Sequence, residues 1–121
     1  MSNEPSFDWT QAASLLGDDP QQVSEDMVDI VGELIESANG HFEELKKKNP
    51  ETERKNISSL AHQLRGSLLN FGFTDVGTHL LRLEKENFPA AEYAAMLCET
   101  EKVFAASKKL LAARYPSLRL S

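Results

Sequence analysis

Residues 61–72 read AHQLRGSLLNFG, and the reading of this stretch decides the fold. Together with Ile57 and Leu60 just before it, the apolar residues Ala61, Leu64, Leu68 and Phe71 recur at three- and four-residue spacing, the period of a helix with one buried face. With that stripe set at zero and about 100° per residue, Arg65 stands near 80°, Leu69 near 120°, His62 near 140° and Gly66 near 180°. His62 is therefore predicted to project from the flank of the helix and not into its core. Glycine inside a helix costs about 1 kcal/mol relative to alanine, so Gly66 asks for a local reason.

The three polar or missing side chains fit one chemistry. The gap at Gly66 leaves open space beside the imidazole, so a bulky group can approach. Arg65 supplies a cation within reach, and a guanidinium suits phosphate oxygens. A histidine that takes up a phosphoryl group needs an exposed neutral nitrogen, steric clearance and charge compensation. Leu69, read as exposed, adds an apolar contact for a docking partner.

Working outward, no segment alternates as a strand does, and helical periodicity runs almost throughout. Asp8 with Gln11 three residues later predicts a capped short helix that stops at Gly17. Asp19-Pro20-Gln21-Gln22 predicts a second start, with Pro20 at the first helical position. Val23, Met27, Ile30, Val31, Leu34, Ile35, Ala38, Phe42 and Leu45 then keep one stripe to about Asn49. Asn49-Pro50-Glu51 ends that helix and starts the third. Gly72 ends the third, and a fourth runs from about Thr74 to Asn87 with Val76, Leu80 and Leu83 inward. The last carries Tyr93, Met96, Leu97, Val103, Phe104, Leu110 and Leu111 and fades at Tyr115-Pro116. Short connections predict antiparallel neighbours. The fold class expected is all-α: an antiparallel up-down four-helix bundle with a short additional N-terminal helix. One domain covers 1–121, with residues 1–6 expected to be flexible and 116–121 a frayed tail.

On the fourth helix, with Val76 at zero, Glu84 falls near 80°, at the edge of the buried face. Gly72 turns the chain back, and His62 before it and Glu84 after it lie at similar heights. A carboxylate that accepts from Nδ1–H fixes the tautomer and leaves Nε2 as the free nucleophile. Glu84 could instead pair with Lys85 or Arg65. His79 projects from the opposite edge of that stripe and reads as structural. His41 has no constellation around it and reads as a surface residue.

Composition narrows the function classes. A chain of 121 residues fits one domain able to bury a sizeable core. Its net charge of −6 argues against a nucleic-acid partner, which calls for a basic footprint. Lys46-Lys47-Lys48 closes a predicted helix, where cations complement the dipole. The start MSNEPSFDW is not a secretory signal, and no apolar run is long enough to span a membrane. One cysteine, Cys98, suits a reducing compartment, so the expected location is cytoplasmic. No Glu-x-x-His occurs, which removes a di-iron bundle.

AHQLRGSLLNFGF followed by VGTHLLRLE resembles the histidine phosphotransfer (HPt) domain of two-component phosphorelays. The resemblance extends over the entry FDWTQAASLLGDDPQQV and the long second helix. It implies that His62 is the phosphoacceptor. Arg65 falls where the family usually has lysine, Gly66 and Gly72 on its glycines, and Ser67 on its hydroxyl. Glu84 falls on the position whose side chain bonds the histidine ring. The departures are Arg65 for lysine, Leu68 and Leu69 where small residues are common, Phe73 for a small or aliphatic residue, and His79 where cysteine or an apolar residue is frequent. Arg65, Gly66, Ser67 and Leu69 are thus the expected phosphate- or partner-binding set, with His62 and Glu84 at the reacting centre.

The implied function is a phosphorelay intermediate. It takes a phosphoryl group from the aspartyl phosphate of one receiver domain and passes it to another. Response-regulator receiver domains and a hybrid sensor histidine kinase are the implied partners, and a monomer is expected. No metal site and no nucleotide-binding loop are recognisable, so no cofactor and no ATP-dependent kinase activity are expected, with Mg²⁺ only on the partner receiver domain. The Met1 start favours a stand-alone carrier. The alternative is a helical-bundle docking or dimerisation module that is not phosphorylated; such a module would usually lack His62.

Overall fold

A computed structural model describes residues 6–19, 21–85 and 87–118. The elements are α1 (Trp9–Leu16), α2 (Glu25–Lys47), α3 (Arg54–Leu69), α4 (Thr74–Glu84) and α5 (Tyr93–Arg114). Single 3-10 turns precede α5 at Ala90–Glu92 and follow it at Pro116–Leu118. Among the described residues there is no strand, as the periodicity predicts.

Caps explain most boundaries. The Asp8 side chain accepts from Gln11 N at 3.0 Å and starts α1 where predicted. Helix α2 starts later than predicted. Ser24 caps it by accepting from Met27 N at 3.2 Å, with Glu25 and Asp26 in the favourable first turn. Asp19 instead accepts from Gln21 N at 2.9 Å, closing a turn of its own. Pro20, expected at the first helical position, lies outside the described residues. Asn49 likewise forms a turn, accepting from Glu51 N at 2.8 Å, and α3 begins only at Arg54. Helix α4 ends at Glu84, short of the predicted Asn87, and the chain turns into the segment that seats the buried Phe88.

Each stripe packs inward as its period requires. Helix α2 packs on α3 and α5, and α4 on α3 and α5. Helices α3 and α4 are antiparallel: Ser58 Oγ donates to the Glu84 carbonyl at 2.6 Å, while Leu69, further along α3, lies over Gly77, earlier in α4. Helices α2 and α5 are also antiparallel, for Tyr93 OH donates to Leu45 O at 2.6 Å and the Phe42 ring lies 5.4 Å from that of Phe104. Phe73, fully buried at the start of α4, sits 5.7 Å from Phe104 and ties the two pairs together. A buried side chain of this size contributes roughly 1.5–3 kcal/mol.

Contacts tie residues near both termini to the bundle. Residues 1–5 lie outside the described residues, but Ser6, expected to be flexible, is held. Its N–H donates to Asp75 Oδ2 at 2.8 Å and its carbonyl accepts from Thr74 Oγ1 at 2.9 Å. The strap continues through Asp8 N, which donates to Gly72 O at 2.8 Å, and Gln11 Nε2, which donates to Asn70 O at 2.8 Å. Gly72 makes this approach feasible. Its φ is +96°, and a Cβ there would stand 2.5 Å from the Asp8 carbonyl oxygen. Residues 116–118, part of the segment expected to be a frayed tail, form the 3-10 turn after α5. Tyr115 and Leu118 are buried in the core, and Tyr115 OH donates to Gly17 O at 3.3 Å. Residues 119–121 lie outside the described residues.

Candidate functional site

The flank of α3 facing the end of α4 carries the site. Helical geometry turns His62 away from the buried stripe of Ala61, Leu64 and Leu68, and its side chain is 66% exposed. Antiparallel pairing with α4 brings Glu84 to it. His62 Nδ1 lies 2.6 Å from Glu84 Oε1, the contact predicted from the register about Gly72. The Ser58 hydroxyl binds the Glu84 carbonyl, which fixes the backbone from which the carboxylate reaches out.

The carboxylate has a second partner. Arg65 Nε donates to Glu84 Oε2 at 2.7 Å and Nη2 to Oε1 at 3.3 Å, so the guanidinium meets it side-on. Arg65 thus takes the pairing that the sequence had left open for Glu84. The Arg65 hydrogen bonds hold the Glu84 carboxyl below the usual carboxylate range against the opposing effect of burial, and His62 adds to the lowering. Glu84 in turn raises the Arg65 guanidinium. Protonation states follow. An ionised carboxylate accepts only, so a nitrogen 2.6 Å from it must carry the proton. Nδ1 is the donor, and Nε2 is the unprotonated nitrogen of the neutral ring.

Gly66 stands one helical turn after His62 on α3. A Cβ built there meets nothing within 4 Å, so nothing in this fold needs a glycine at that position. The other two predicted residues are placed differently from the expectation. Leu69 is not simply exposed: it is half-buried and lies over Gly77, where a Cβ would come within 2.7 Å of its Cδ2. Ser67 is exposed but, at five residues from His62, stands about 140° round the helix from it, so the two side chains diverge. His79 and His41 each bond the carbonyl one turn earlier in their own helices, Asp75 O at 2.9 Å and Ser37 O at 2.8 Å. Both are accounted for locally.

Gly77 was missed from the sequence. It is helical and buried, and it lets Leu69 approach α4; Arg65 Cγ would lie in ordinary contact, 3.6 Å from a Cβ there. The signal available was a glycine inside a helix with a strong stripe, which marks a close approach without saying to what. Among the described residues, no group of three His, Cys, Asp or Glu side chains could hold a metal ion. No described helix is long and apolar enough to cross a membrane.

No curated protein and no solved structure matches the chain. A family model does: that of the Hpt domain, over residues 29–111, which takes in most of α2, all of α3 and α4, and α5 as far as Leu111. The matched span contains the exposed His62, its Glu84 partner and the open Gly66 position, and it covers more than half of the 121 residues. The chain therefore belongs to the Hpt domain family, the phosphotransfer carriers, distinct from kinases, that work with receiver domains and kinases in two-component signalling.

Proposed function

We propose that His62 is the phosphoacceptor of a phosphorelay intermediate. It takes a phosphoryl group from the aspartyl phosphate of one receiver domain and hands it to an aspartate of another. The observation that carries this reading is the division of labour on the ring: Nδ1–H is engaged by Glu84, and Nε2 is left as the other nitrogen of a 66% exposed side chain, one helical turn from the open Gly66 position.

The chemistry follows from that arrangement. The Nε2 lone pair attacks phosphorus, the N–P bond forms, and the P–O bond to the donor aspartate breaks, so the carboxylate leaves with the bonding electrons. Nδ1 keeps its proton throughout, and the ring becomes a cation facing the Glu84 carboxylate. In the return step an aspartate oxygen of the second receiver attacks phosphorus. The N–P bond breaks, and a neutral imidazole leaves. Such transfer depends on positioning and charge more than on covalent machinery. Mg²⁺ belongs, in this reading, to the partner receiver domain. The phosphoryl group originates with a hybrid sensor kinase, and the carrier works as a cytoplasmic monomer without a cofactor of its own.

The test is to mix the protein with a phosphorylated receiver domain and follow the label. Wild type is expected to take up base-stable, acid-labile phosphate. His62→Gln should fold normally and take up none. Label of that stability on His62→Gln would refute the assignment.

A further inference from the structure

An exposed ring is not oriented by packing. His62 is 66% exposed, and its only hydrogen bond among the described residues goes to Glu84. Whatever fixes that carboxylate therefore fixes the nucleophile. A glutamate carboxylate rotates readily about its last torsion, which is broad and roughly two-fold. One bond to a mobile imidazole does not hold its plane. The side-on guanidinium does. Arg65 Nε and Nη2 take Oε2 and Oε1 together, at 2.7 and 3.3 Å, and this leaves an in-plane lone pair of Oε1 for His62 Nδ1–H.

We infer that Arg65 is a positioning residue of the site, acting on His62 through Glu84. This rests on the phosphoacceptor reading of His62. The Arg65 stem runs beside Gly77, where a Cβ would press on Leu69 at 2.7 Å but would meet Arg65 Cγ in ordinary contact at 3.6 Å. The Arg65 side chain is three-quarters buried, and its reach ends on the carboxylate. Arg65 therefore does a different task from the direct phosphate contact expected of it. Lysine, usual at this position in the resemblance, is a point charge and cannot span both carboxylate oxygens in one plane. Arg65→Lys is therefore not conservative here, although the charge is kept.

The charged groups acting on Glu84 are Arg65 and His62, one from each neighbouring turn of α3. That isolation permits a double-mutant cycle. Four proteins are compared: wild type, Arg65→Met, Glu84→Ala and the double variant. Methionine keeps an unbranched stem over Gly77 and removes every donor. Two readouts are taken: ring ¹⁵N shifts, which report the Nδ1–H tautomer fraction at a pH where the ring is neutral, and the rate of label uptake from a phosphorylated receiver domain. Arg65→Met is expected to lower the Nδ1–H fraction and to slow uptake about 10-fold, a change of about 1.4 kcal/mol in barrier. In the Glu84→Ala background the same substitution should change uptake less than about 2-fold and leave the tautomer where Glu84→Ala put it. Arg65→Lys should fall between wild type and Arg65→Met in tautomer fraction.

Losses that multiply in the double variant would mean that Arg65 touches the phosphoryl group directly and would overturn the inference. So would a lowered melting temperature in Arg65→Met with an unchanged tautomer, which would make the residue a structural clasp. If wild type takes up no label, the phosphoacceptor reading fails. The tautomer arm then decides the positioning role by itself.

Discussion

Gly66→Gln should separate stability from transfer by moving them in opposite directions. The position lies in the last turn of α3, and a Cβ there meets nothing within 4 Å. No neighbour has to give way. Removing a helical glycine recovers most of its propensity deficit, about 0.5–1 kcal/mol for glutamine. For a domain of this size that corresponds to a rise in melting temperature of roughly 2–6 °C. The same side chain fills the space beside the His62 ring through which a receiver domain would approach. Circular dichroism melts give the first quantity, and label uptake from a phosphorylated receiver domain gives the second. The expected result is a more stable protein whose transfer is slowed at least about 10-fold, the equivalent of about 1.4 kcal/mol of lost approach. Wild-type transfer in Gly66→Gln would sink the clearance argument. A drop in melting temperature would show that the position is crowded, against the geometry.

Gly72→Ala should do the reverse and damage the fold far from the ring. Its φ of +96° strains any L side chain, and its Cβ would stand 2.5 Å from the Asp8 backbone oxygen, which cannot swing aside. Left-handed strain and the lost Asp8–Gly72 bond together predict about 2–3 kcal/mol of destabilisation in urea unfolding. The fluorescence of Trp9, stacked on Phe7 at 4.4 Å, should report a loosened strap; unchanged stability and emission would refute this. Tyr93 should govern behaviour in base. Burial, with a smaller effect from Glu53, pushes its phenol up to about 12. A folded value above the unfolded one of about 10 means stability present below pH ~10 and lost as pH rises towards about 12. Tyr93→Phe should flatten that loss, and the difference in tyrosinate absorbance between the two proteins should titrate near the higher value; titration near 10 would contradict the burial.

Much of the site was legible before any coordinates. The 3.6-residue period is a property of the backbone, so the stripe of Ile57, Ala61, Leu64 and Leu68 already placed His62 on the flank and Gly66 beside it. A turn at Gly72 with helices on either side has one rise per residue in both, which sufficed to bring Glu84 level with His62. The Asp8 cap was readable because capping is local. Competing local signals were not readable: Asp19 and Ser24 can each cap a helix, and which one does depends on where Val31 and Leu34 must sit against the core. The strap of Ser6 across the α3–α4 turn and the burial of Leu118 depend on contacts between residues distant in the chain. The same holds for Arg65. On a helical wheel it is a cation near the ring, equally able to meet a phosphate or a carboxylate. Only the packing of α3 against α4 brings its guanidinium onto both oxygens of Glu84, because interhelical distance is set by the residues of both helices at the crossing and is written in neither alone.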